Sequence, residues 1–192
     1  MVLDPDQPYY NYALGAVTAQ GKDPSQAIPY FRKYVAGKPQ DPRGRFALGA
    51  AYFYSGNYEM ARSELKAVAA KPETAAGAHY FLGRVAKQEN NLSKAENELK
   101  LAVEANPANA DAHAELALIH LRQQRWEPAA KALARALELD PENPRANANL
   151  LILYQRTRDP RAAGQSRRLE EIRQKRSEKE ELLMRTIELR PY

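Results

Sequence analysis

Sliding the sequence past itself by 34 positions brings Leu14, Leu48, Leu82, Leu116 and Leu150 into one column with no insertion anywhere. The next column reads Gly15, Gly49, Gly83, Ala117 and Leu151. Ala27, Ala61, Ala95, Ala129 and Ala163 form a third, and Phe31, Leu65, Leu99 and Leu133 a fourth, where the fifth copy has Arg167. Pro39, Pro107 and Pro141 also coincide, with Pro72 one residue out of step. A fixed period of this length restricts the chain to an array of like units, none able to bury its apolar side alone.

Each unit reads as two helices. In the second copy, Asp41 is placed to cap a helix and Pro42 suits its first turn. Leu48 and Tyr52 are four apart and share a face. Gly49 costs a helix about 1 kcal/mol against alanine. Its recurrence therefore predicts a packing demand, with two backbones brought close together. Ser55, Gly56 and Asn57 break the helix. A second helix then carries Ala61, Leu65 and Val68 at i, i+4 and i+7, and Pro72 ends it. The joint between units is itself repeated: "AVEANPANADA" and "ALELDPENPRA" are the same phrase, 34 residues apart. The fifth copy departs most. Its first helix fits, with Leu150 and Tyr154 on the core face. Pro160 then stands near a helix start, and the apolar side moves to Leu169 and Ile172. This is the pattern of a terminal unit whose outer face turns polar. One long final helix is expected after it, with a candidate break near Ser177.

Composition narrows the function classes. Good helix formers dominate, and no alternating Thr/Val/Ile run of strand type is present. The absence of cysteine excludes disulfides, a thiolate nucleophile and a cysteine zinc site. No apolar run approaches the roughly 18 residues of a membrane helix. The start lacks the basic and apolar regions of a signal peptide, and it equally suits the edge of a longer protein. The expected setting is soluble, cytoplasmic or periplasmic. Eleven basic and seven acidic residues from position 156 onward hold +4 of the net charge of +5.

The Leu-Gly pair, Tyr52, the Gly-Asn-Tyr turn at 56–58, the small Ala61, the large Leu65 and the closing proline resemble the tetratricopeptide repeat, whose period is also 34. The resemblance covers about 8–177. It implies an all-α, right-handed superhelical solenoid of five helix pairs, at 8–41, 42–75, 76–109, 110–143 and 144–177. A lead-in at 1–7 precedes them and a C-terminal helix extension at 178–192 follows. The tryptophan usual near the start of the family's first helices is replaced by Asn11, Arg45, His79, His113 and Asn147.

The resemblance further implies a protein-interaction scaffold rather than an enzyme. First helices line a concave groove in the family. Here their second face carries Phe46, Ala50 and Phe53 in the second copy, about 200° from Leu48. The same columns hold Tyr12, Ala16 and Ala19, then Tyr80, Arg84 and Lys87, then Ala114, Leu118 and Leu121, then Ala148, Ile152 and Gln155. Tyr9, Arg43 and Arg145 lie one turn earlier. The expected partner-binding groove therefore comprises Tyr9, Tyr12, Arg43, Phe46, Phe53, Tyr80, Arg84, Lys87 and Leu118, its aromatics exposed and Arg84 and Lys87 as polar anchors. The other arrangement packs these aromatics between neighbouring first helices.

A chaperone C-terminal tail is rejected as partner. The positions matching the family's carboxylate clamp are Tyr12, Ala16, Ala47, Gly77 and Phe81, or one unit on Phe46, Ala50, Phe81, Asp111 and Glu115, and neither set grips a carboxylate. His79, His113 and His120 recur on stacked helices, but copies about 10 Å apart do not make a metal site, so no metal and no cofactor is expected. Trp126 falls in the Tyr58 column and reads as core. No phosphate loop or nucleophile elbow is present, and no catalytic residue is assigned. The basic C-terminal helix is interleaved with Glu170, Glu171 and Glu178, which weighs against nucleic acid. Leu182, Leu183, Met184, Ile187 and Leu189 either fold back on the last repeat, the favoured reading, or form a dimer contact through the C-terminal helix. The alternative functions are a structural, self-assembling module or an accessory domain of a larger bacterial protein.

Overall fold

The computed structural model describes residues 7–21 and 23–188, with side chains through residue 182. Among these the chain forms α1 (Pro8–Thr18), a short 3-10 turn (Pro24–Ala27), α2 (Ile28–Gly37), α3 (Pro42–Tyr54) and α4 (Tyr58–Lys66). It continues with α5 (Ala75–Gln88), α6 (Leu92–Ala105), α7 (Ala110–Arg122), α8 (Trp126–Leu139), α9 (Pro144–Thr157) and α10 (Ala162–Glu188). First helices thus begin at Pro8, Pro42, Ala75, Ala110 and Pro144, each within a residue of the period. The chain divides into two compact units, Met1–Pro107 and Ala108–Tyr192. The first holds the pairs α1/α2, α3/α4 and α5/α6, and the second holds α7/α8 with α9 and α10.

The repeated joint is a capping device. The side chains of Asp41, Asn57, Asn91, Asn109 and Asn143 accept backbone N–H groups at the starts of α3, α4, α6, α7 and α9, at 2.9–3.2 Å. Each satisfies a donor that the helix itself leaves open. Between the helices of a pair the turn also repeats. Gly56, Asn90, Gln124 and Arg158, all 34 apart, have φ of +78°, +57°, +57° and +56°. After each, a backbone N–H reaches back five residues, as in Asn91 to Ala86 and Asp159 to Tyr154, at 2.9 and 2.8 Å. This is the Schellman closure, which requires one left-handed residue.

The glycine column has the predicted packing origin, in a modified form. A Cβ on Gly49 would stand 2.7 Å from Leu65 Cγ, and one on Gly83 would stand 2.7 Å from Leu99 Cγ. Gly15 meets the Phe31 ring at 2.6 Å. A large side chain of the second helix is therefore seated on the first helix's backbone, with the Ala61 and Ala95 carbonyls beside it. Ala117 takes this place in α7, fully buried in one cluster with Ala129 and Leu133.

Two expectations need correction. The second helix of the second copy ends at Lys66, short of Val68 and Pro72. Val68 is buried from within the following turn, whose carbonyl accepts the Thr74 hydroxyl at 2.8 Å. Thr74 thus stabilises a bend where the proline is out of step. The final helix is unbroken through Ser177. Of the residues expected to fold back, Leu182 is 66% exposed, and 183–189 lie outside those whose side chains are described.

Candidate functional site

In the first unit the second face of the first helices builds an aromatic cluster around a cation. Phe81 lies at the centre, with ring centroids 6.0, 5.4, 5.7 and 5.3 Å from Phe46, Phe53, Tyr54 and Tyr80. The Arg84 guanidinium sits 4.3 Å from the Phe53 centroid and within 5.6 Å of three further rings, Tyr54, Tyr80 and Phe81. Such contacts strengthen when partly desolvated, and Arg84 is half-buried.

This arrangement corrects the expectation of exposure. Phe53 and Tyr80 are only 5% and 8% exposed, because α3 and α5 meet along this face. Phe46 is half-buried over Gly77, where a Cβ would lie 2.6 Å from its ring. Tyr12 is half-buried against Phe31 and Tyr34, at 5.8 and 4.9 Å. Tyr9 is 57% exposed, with Lys38 Nζ 5.2 Å from its ring. Lys87 is half-buried.

Arg43 is exposed but held. Its guanidinium donates to both Asp41 oxygens, at 3.0 and 2.6 Å, while the buried Tyr34 hydroxyl donates to the same carboxylate. The Arg43 bonds, with Tyr34 assisting, keep the Asp41 carboxyl well below its usual pKa. Burial, then the Asp41 bond, pushes the Tyr34 hydroxyl up to about 12. A group with a raised folded pKa favours folding below its ordinary value, here 10, and loses that contribution as pH climbs through 12. Alkaline destabilisation between those values is therefore expected to be smaller in Tyr34→Phe than in the parent chain. The difference is at most about 1.4 kcal/mol per pH unit crossed, read by chemical unfolding at stepped pH. Equal slopes in the two proteins would refute this role for Tyr34.

In the second unit, Leu118, Leu121, Arg122, Gln124, Trp126, Ile152 and Arg156 enclose a hollow of about 490 Å³. Leu118 is the one predicted groove residue in it. Leu121, Arg122, Gln124, Trp126, Ile152 and Arg156 complete it. The face columns already contained Leu121 and Ile152, but the two arginines lie just outside them at helix ends. Trp126 is half-buried rather than enclosed, packing against the Leu133 cluster while its outer side walls the hollow.

His79 ties the two helices of its pair together. His79 Nδ1 lies 2.8 Å from Glu98, and one period earlier Arg45 bonds Glu64 at 2.9 Å. The position of the missing tryptophan thus carries a polar strap within each of these pairs. His120 is buried in the Tyr52 column. Among the described residues no His, Cys, Asp or Glu trio is placed to hold a metal ion, and no helix is long and apolar enough to cross a membrane. On α10 the bases are interleaved with acids: Arg168 reaches Glu171 and Glu142, Arg173 reaches Glu170, and Lys175 reaches Glu142.

Comparison with known proteins agrees with this architecture. The sequence profile of the tetratricopeptide repeat matches residues 46–109, 86–144 and 115–166. The solved structure of MamA (41-end) from Desulfovibrio magneticus RS-1 is similar at TM-score 0.70 and 22% identity, over 91% of this chain and 98% of that one. The solved structure of Pseudomonas aeruginosa pilF gives 0.75 and 20%, over 88% and 78%. The thermophilic TPR protein TTC0263 of Thermus thermophilus gives 0.73 and 20%, over 90% and 98%. No curated protein sequence matches. At these identities the structural likeness carries the fold, an all-α solenoid of helix pairs. With the profile spanning most of the sequence, the chain belongs to the tetratricopeptide repeat family.

Proposed function

We propose that the chain is a binding scaffold whose first helices receive a peptide or a segment of a partner domain, with no catalytic step. The observation that carries this reading is the hollow in the second unit. Its apolar lining is Leu118, Leu121, Ile152 and Trp126, and its polar lining is Gln124 with the exposed Arg122 and Arg156. Among the described residues neither arginine is drawn into an ion pair of the chain's own, in contrast to Arg43, Arg145 and Arg161. An apolar lining with two such guanidinium groups suits a peptide that places an aliphatic or aromatic side chain beside a carboxylate. In the first unit, taken by itself, Tyr9, Tyr12, Arg43, Phe46, Arg84 and Lys87 would form a receiving face of that unit's own, with Phe53 and Tyr80 packed against Arg84.

The test is a displayed random-peptide selection on the parent chain, followed by affinity measurement with one selected peptide. Selected peptides are expected to pair an acidic residue with a large apolar one. Arg122→Glu combined with Arg156→Glu is expected to weaken binding roughly ten- to hundredfold, the scale of one charge-assisted contact of about 1.5–3 kcal/mol, at unchanged helical circular dichroism. Peptides without acidic residues, or affinity indifferent to the double reversal, would overturn the reading.

A further inference from the structure

The second unit has a second opening, behind the first helices, of about 440 Å³. Its walls are Ala130, Ala134 and Leu137 of α8 and Leu150, Leu153 and Tyr154 of α9. At its rim Arg161 lies 4.6 Å from the Tyr154 ring centroid. The sequence explains why it is open. In the second and third copies a leucine of the second helix seats on a glycine of the first. In the fifth, Leu151 occupies the glycine position and Arg167 the leucine position. Neither close approach nor apolar filling is then available. Instead α10 rests through Leu169 and Ile172, with Gln165 donating to Asn147 at 3.0 Å and Lys175 to Glu142 at 3.0 Å. The leucines and the tyrosine that would meet a nested second helix are left facing a cavity of ligand-binding size.

We propose that the C-terminal end of α10 from a second copy of the chain fills this cavity. Beyond Ile172, α10 is exposed at every residue from 173 to 182, and Leu182 is 66% exposed. The sequence there continues with Leu183, Met184, Ile187 and Leu189, an apolar stretch following a charged one. Leu183 and Ile187 are four apart in the sequence, the spacing of neighbours on a helix surface. The same chain cannot make the contact. α10 starts directly after the rim residue Arg161 and runs 27 residues without a break, which carries its far end about 40 Å from the cavity. Four further residues span at most about 14 Å. The rim carries Glu127, Asp159 and Arg161, a net charge of −1, and the entering segment carries Arg185, Glu188 and Arg190, a net charge of +1. One chain thus contains an apolar opening and an apolar helix end that meet only between copies, and reciprocal exchange closes a two-fold dimer.

The test is sedimentation equilibrium on the full chain and two full-length variants, each checked for parent-like helical circular dichroism. The parent is expected to dimerise with concentration. Leu183→Glu with Ile187→Glu removes the entering side chains, and Ala134→Glu blocks the cavity wall from an exposed position. Each variant alone is expected to be monomeric, while their equimolar mixture forms a heterodimer, because one intact tail then finds one intact cavity. A fluorescent peptide of residues 176–192 is expected to bind the tail variant and to lose at least tenfold in affinity when Ala134→Glu is added. A monomeric parent, a dimer that persists in Ala134→Glu, a mixture that stays monomeric, or peptide binding indifferent to Ala134→Glu would each overturn the proposal. Should either tail or wall variant fail to fold, the peptide titration on the parent chain, competed by unlabelled peptide, decides between docking and none.

Discussion

Replacing Leu99 by alanine is expected to lower stability by about 2–5 kcal/mol, the range for deleting a buried leucine whose site collapses poorly. Leu99 is fully buried, and its Cγ would lie 2.7 Å from a Cβ on Gly83. Helices α5 and α6 are therefore held close by one side chain resting on a bare backbone. Truncating that side chain leaves a void between two rigid rods that cannot both move inward, since α5 is also fixed by α3 and α4. Gly83→Ala is expected to be destabilising for the opposite reason, by about 1–3 kcal/mol of overpacking, despite its better helix propensity. The decisive measurement is the double-mutant cycle in urea. In the Leu99→Ala background the new methyl enters the void, so the penalty of Gly83→Ala shrinks or reverses. Additive losses within about 0.5 kcal/mol would mean that the two residues do not share a contact.

That nested contact was legible in the sequence because glycine is a poor helix residue and its repetition needs a cause. The helix starts were legible for a similar reason: Asp41, Asn143 and the prolines beside them serve few other purposes. Other features left no trace. The left-handed residue of the turn announces itself at Gly56, but Asn90, Gln124 and especially Arg158 occupy the same conformation. There the pair geometry overrides a local preference worth about 1–2 kcal/mol. The aromatic columns follow from the period, yet periodicity gives only the direction of a side chain. Whether it meets water depends on how closely α3 and α5 approach, and their rings close around Arg84. Arg122 and Arg156 were missed because they sit at helix ends, one position outside the columns that define the face. The fifth copy could be read as a polar terminus from Arg167. That α10 would consequently slide toward Asn147 and leave an opening required Leu151 and Arg167 to be considered together.

Phe81→Ala is expected to cost about 3–5 kcal/mol and to dissolve the aromatic cluster as a unit. Phe81 touches Phe46, Phe53, Tyr54 and Tyr80, so its removal takes one wall from four rings at once. Ring pairs of this edge and tilted geometry contribute about 0.5–1.5 kcal/mol beyond their buried area. The loss also reaches the cation. Arg84 stays half-buried between the remaining rings, but water enters on the side that Phe81 covered, and the attraction of a guanidinium to an aromatic face weakens once it is hydrated. Near-ultraviolet circular dichroism from the tyrosines is therefore expected to fall sharply while the far-ultraviolet helix signal survives below the unfolding transition. Phe81→Leu keeps an apolar side chain in place and should recover part of the stability but little of the tyrosine signal, because the ring contacts are gone in both variants. A cost for Phe81→Ala below about 1 kcal/mol, or an unchanged tyrosine signal, would show that these rings are neighbours on a surface and not a packed body holding Arg84 in place.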